Sequence, residues 1–76
     1  MENNHKKIVD NIRGLMFLIK GDASEIYGDC FYTGISQNSS AEELEVFCRL
    51  CECIADYAER AKFLVNDLLE SKENLD

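Results

Sequence analysis

Four cysteines, Cys30, Cys48, Cys51 and Cys53, form the one grouping in this chain whose spacing suggests a cofactor. Thiolates two or three residues apart hold Zn²⁺ or an iron–sulfur cluster when a turn curls them around the metal. No turn residue accompanies these. The segment from Phe47 to Ile54 contains neither Gly nor Pro and keeps a helical apolar pattern throughout. On a helix Cys48 and Cys51 share a side, whereas Cys51 and Cys53 point apart and cannot bridge. Cys51 also falls on an apolar seam, where cysteine packs as a small hydrophobe. The set reads as free thiols of a reducing compartment rather than as a secreted disulfide framework. Cys48, Cys51, Cys53 and Cys30 are weak metal candidates only, no cofactor is expected, and a cysteine-based metal or redox protein stands as an alternative function.

Other reactive groups are less organised. His5 is the single histidine, near the N-terminus and with no second base or nucleophile identifiable beside it, and is expected to be solvent-exposed. The carboxylates fall on helix faces expected to be solvated, where a pair such as Glu52 and Asp56 is repelling surface charge rather than an acid/base couple. There is no phosphate-binding loop, zincin pattern or nucleophile elbow. Two helical arms also lack the concavity that enzymes use. Catalysis is not expected.

The elements that position these residues are legible from apolar periodicity. Leu44, Phe47, Cys51, Ile54, Ala58, Ala61, Val65 and Leu68 recur at alternating steps of three and four, which lays one seam along a long helix. Ser40-Ala41-Glu42-Glu43 is a capping box that opens this arm at about residue 41. The arm is expected to run to about 71, with a frayed tail at 72–76. Ile8, Ile12, Leu15 and Ile19, widened by Val9 and Met16, define an earlier arm. Asn3 and Asn4 suit its N-cap. The stripe continues in phase through Ala23, Ile26 and Cys30, so the first arm is expected at about 5–32, bent or briefly broken near Gly21. Asp22 and Glu25 have capping-box spacing that would fit a break there. Gly34 then ends the arm, and 33–40 is a polar connection.

Matched arms and a short connection predict an all-α antiparallel hairpin occupying 1–76 as a single small domain. In it Lys6 and Lys7 would lie beside Asp67 and Glu70, and Ala55, Ala58 and Ala61 would face Ile12, Leu15, Met16 and Ile19. Glu45–Arg49 and Asp56–Arg60 have the spacing of ion pairs within a helix. Gly14, Gly21 and Gly28 follow isoleucines at seven-residue intervals. They mark either a smooth track for another helix backbone, or coincidence and local helix ends.

A chain of 76 residues has a marginal core unless it associates. Phe17, Phe31, Val46 and Phe63 fall off the seams, and surplus apolar surface of this kind predicts further burial. A homodimeric four-helix bundle satisfies it. The net charge of −7 disfavours direct nucleic-acid binding, which draws on cationic contacts to phosphate, and disfavours acidic membrane surfaces. The densest apolar run, Leu15–Ile19, falls far short of a membrane span or a secretion signal, so a cytoplasmic location is expected. The functional expectation is a small acidic protein-interaction module acting as adaptor, chaperone or regulator. A second alternative is an acidic inhibitor that mimics nucleic acid at a basic protein surface.

Overall fold

The computed structural model of the chain describes residues 2–29 and 33–75, with side chains for 4–29 and 33–73. Two helices, α1 (Glu2–Tyr27) and α2 (Ala41–Leu75), pack against each other as an all-helical hairpin. The molecule measures 54 × 20 × 14 Å. Its length is that of α2 alone, since 35 residues span about 52 Å at 1.5 Å each. Its width is that of two helices, and its thickness is little more than one, given a helix diameter of about 10–12 Å. The radius of gyration, 16.6 Å, compares with about 11 Å for a compact domain of this length.

The turn chemistry explains where α1 stops. Gly28 adopts φ 90° and Gly34 φ 75°, conformations that favour glycine because it lacks a Cβ. The Gly28 N–H donates to the Ser24 carbonyl at 2.8 Å, and the Ile35 N–H donates to the Ile26 carbonyl at 2.7 Å. These bonds occupy carbonyls that the helix end would otherwise leave free. The returning chain lies so close that a Cβ on Gly28 would stand 2.7 Å from the Thr33 carbonyl oxygen, and one on Gly34 2.6 Å from that of Tyr27. The apolar stripe carries the helix pattern further, but α1 closes at Tyr27 rather than near 32, ended by Gly28 rather than Gly34. Gly21 lies within continuous helix, so no cap forms at Asp22. At the other end α1 includes Asn4, which therefore does not act as its cap.

Residues 33–40 form a compact connection. The Ser36 N–H donates to Ser39 Oγ at 3.0 Å, the Ser39 N–H to the Ser36 carbonyl at 3.1 Å, and the Asn38 N–H to Ser36 Oγ at 3.1 Å. The capping box is then complete. The Glu43 N–H donates to Ser40 Oγ at 3.1 Å, and the Ser40 N–H donates to Glu43 Oε1 at 2.9 Å. Two orphan amides are thereby satisfied reciprocally.

The seam follows a seven-residue repeat on both helices. Seam residues on α1 are His5, Ile8, Ile12, Leu15, Ile19, Asp22 and Ile26, all half-buried, with Ser24 and Glu25 half-buried beside them at the turn end. On α2 the seam residues are Phe47, Leu50, Ile54, Tyr57, Leu64, Leu68 and Ser71, half-buried, and Ala61, buried at 4% exposure. Two expectations are corrected here. His5 is half-buried at the open end of the seam rather than fully exposed, and Asp22 takes the place expected for Ala23. On α2 the column Phe47, Ile54, Ala61, Leu68 is as expected, but its partner column is Leu50, Tyr57, Leu64, Ser71. Leu44, Cys51, Ala58 and Val65, placed in the seam by periodicity, are exposed. The helix is rotated by about one column, because both neighbouring columns are apolar and Leu50, Tyr57 and Leu64 offer more bulk to α1. Of the three alanines only Ala61 faces α1, while Ala55 and Ala58 are exposed. Lys6 and Lys7 form no salt bridge with Asp67 or Glu70. Asp56 and Arg60 do pair, at 3.3 Å, with both side chains more than half exposed, so the pair contributes little to stability.

Candidate interaction surface

A layer one helix thick has two broad faces, and here neither is covered. Ala61 is the one buried side chain among the described residues. The chain exposes 6313 Å², against about 4,700 Å² for a compact monomer of its mass. The excess is about 1,600 Å², twice what each partner contributes to a standard protein interface.

Two shallow grooves identify which columns share a face. Asp10, Asn11, Gly14, Leu15 and Leu18 of α1 line one with Arg60, Phe63 and Leu64 of α2. Glu25, Thr33 and Gly34 line the other with Glu43, Val46, Phe47 and Leu50. This face therefore carries Asn11, Leu18 and Glu25 on α1, and Val46, Cys53, Arg60 and Asp67 in the matching column of α2. It mixes apolar and charged groups.

The opposite face follows from helical geometry. A residue two positions earlier lies about 200° round the helix. That places Val9, Met16 and Ala23 of α1, and Leu44, Cys51, Ala58 and Val65 of α2, together on the far side. All seven are exposed, the larger ones by 40 to 48%, and none is polar or charged. Cys48, Ala55 and Leu69 extend this surface outward on α2, and Lys6, Arg13 and Lys20 border it on α1.

The residues expected to form an interaction surface are dispersed. Phe17, 75% exposed, stands on the outer side of α1. Phe63, 62% exposed, overhangs the first groove beside Gly14, and Val46 lines the second. Phe31 lies outside the described residues. Sequence reasoning assigned Ala23, Leu44, Cys51, Ala58 and Val65 to the interior and counted Val9 and Met16 as mere widening of the first seam. The signal that locates it is the doubling of apolar columns on α2.

Nothing at the three described cysteines gathers a ligand set. Cys48 and Cys51 lie on the smooth face, Cys53 lies on the grooved face, all three are exposed free thiols, and Cys30 lies outside the described residues. Among the described residues no three His, Cys, Asp or Glu side chains come together as a metal-holding group. A Cβ at Gly14 or Gly21 would meet nothing within 4 Å. With Gly28 outside the helix, the three glycines form no continuous track. Glu43 is the one group among the described residues with a displaced pKa, lowered by the Ser40 backbone amide and then by the Ser40 hydroxyl. No helix among the described residues is long and apolar enough to cross a membrane. Comparison of the chain with protein-family models, with curated proteins and with solved structures yields no match.

Proposed function

We propose that this chain is a small, non-catalytic helical interaction module whose hairpins pair as a homodimeric four-helix bundle and present their outer surface to another protein as adaptor, chaperone or regulator. The observation that carries the reading is the uncovered layer: a two-helix slab with a single buried side chain among the described residues and an excess of exposed surface. Secondary-structure elements are stable when an apolar face meets another layer, and a second hairpin supplies one. Pairing through the smooth face leaves Phe17 and Phe63 on the outside, where large exposed aromatics suit recognition of a further protein.

Sedimentation equilibrium across a wide concentration range tests this. The expected result is a mass twice the 8.7 kDa of the chain, with helicity falling as the dimer dissociates. A fully helical particle of single-chain mass at every concentration would overturn it.

One observation favours the acidic-mimic reading. Glu45, Glu52, Glu59 and Glu73 repeat on the outer side of α2. A basic, nucleic-acid-binding partner would be held by that column electrostatically, and its binding would weaken steeply with salt.

A further inference from the structure

We infer that the second copy covers the smooth face about a two-fold axis parallel to the helices, so that α1 of each copy lies beside α2 of the other. This rests on the pairing reading above and adds the face, the axis and the residues that select them.

The first ground is shape. The grooves set residues 11–18 of α1 beside 60–64 of α2, and Glu25 beside Leu50. Met16 is therefore level with Ala58 to within about one helical turn, and likewise Val9 with Val65. A two-fold axis along the helices preserves these levels in the partner. Each Met16 then lies over the other copy's Ala58, and each Val9 over its Val65. Met16 over Ala58 sets a large side chain against a small one and Val9 over Val65 sets two of middle size together, which fills a layer without overpacking. Between Val9 and Ala23 of α1 and between Leu44 and Val65 of α2 the central columns of the face offer no polar side chain that the pairing would leave unsatisfied; Lys72 follows at the open end, where its amine can reach solvent.

The second ground is charge. Lys6, Arg13 and Lys20 recur every seven residues along the rim of α1. An axis across the helices would lay α1 on α1 and confront those cations with their own copies. The axis along the helices instead places the rim of α1 over the rim of the other copy's α2. There Cys48 and Ala55 are short, and Glu52 and Glu59 stand one column behind them. Long basic side chains reach across short ones to such carboxylates. Lys62 is the one cation in the facing column; it is level with Arg13, a single like-charge approach against the whole cationic rim that the other axis would double, and it lies one turn from Glu59. Opposite charges at such a rim choose orientation more than they add affinity.

The test is charge reversal, with self-association read by sedimentation velocity at low salt and helicity by circular dichroism. The paired substitution R13E/K20E is expected to weaken the dimer about tenfold, and E52K/E59K to do the same. The variant carrying all four is expected to return to the unsubstituted affinity, because the rims are again opposite in sign. High salt should erase the differences. K20E and E52K, singly and combined, repeat the design with less perturbation should the larger set lose helicity. If the unsubstituted chain dimerises and neither reversal alters its affinity, or if combining them fails to restore it in a helical protein, the axis is wrong while the pairing stands. A monomeric unsubstituted chain removes both.

Discussion

The two faces of the hairpin are built from the same two helices and differ in one respect. On the grooved face, Asn11, Glu25, Arg60 and Asp67 interrupt Leu18, Val46 and Phe63. On the smooth face, two residues earlier in each helix, Val9, Met16, Ala23, Leu44, Cys51, Ala58 and Val65 run without a polar break. Exposure alone does not separate them, since large apolar side chains are uncovered on both. Continuity does. An apolar residue among charges is ordinary protein surface, whereas an unbroken column on each of two adjacent helices repeats the pattern of the buried seam itself.

The sharpest way to break that comparison is to place a charge on each face in turn. Met16→Glu with Val65→Glu should weaken self-association by about a hundredfold, because both copies would bury unpaired carboxylates. Leu18→Glu with Phe63→Glu should change it less than about threefold, as expected of a rim or free surface. Equal effects in sedimentation experiments would erase the distinction between the faces.

A second comparison concerns glycines of one repeat. Gly28→Ala should destabilise the chain by about 1–3 kcal/mol, since its φ of 90° and the nearby Thr33 carbonyl leave no place for a Cβ. Gly14→Ala should stabilise it by about 0.5–1 kcal/mol, because that position is helical with open space around it. Urea unfolding at one fixed protein concentration reads both. Effects of the same sign would mean that the end of α1 is misassigned.

The smallest expected effect lies at the start of α2. Glu43 has a lowered pKa because it accepts the Ser40 amide. A carboxyl depressed on folding contributes stability that is present above its unfolded pKa, near the ordinary 4.5, and is lost as pH falls through the folded value. Below pH 4.5 the chain should therefore lose helicity sooner than Glu43→Gln, whose amide oxygen keeps accepting from Ser40 without titrating. Coincident acid limbs by circular dichroism would show that the ionised carboxylate adds nothing to the cap.

Much of the fold was readable in the residues because its determinants are local. Ser40 and Glu43 act on amides three positions away, so their spacing alone locates the start of α2. The step of three and four between Ile8, Ile12, Leu15 and Ile19 places them on one side of any helix that contains them. The end of α1 was less legible. Ala23, Ile26 and Cys30 continue the stripe, and the decision falls to Gly28, whose left-handed turn is stabilised by the Ile35–Ile26 bond from within the connection. The smooth face was hidden for a related reason. Leu44, Cys51, Ala58 and Val65 satisfy the test for an interior seam as well as the true seam does.

Residue order by itself determined that this chain makes two helices, where the second begins, and that apolar surface exceeds what two helices can hide. Only the packed hairpin decided which side of α2 turns inward. The column Phe47, Ile54, Ala61 and Leu68 has an apolar neighbour on either hand, and periodicity is blind to which is buried. That choice belongs to the shape of the opposing helix, where the bulk of Leu50, Tyr57 and Leu64 fills the space beside α1 and leaves the slighter column free.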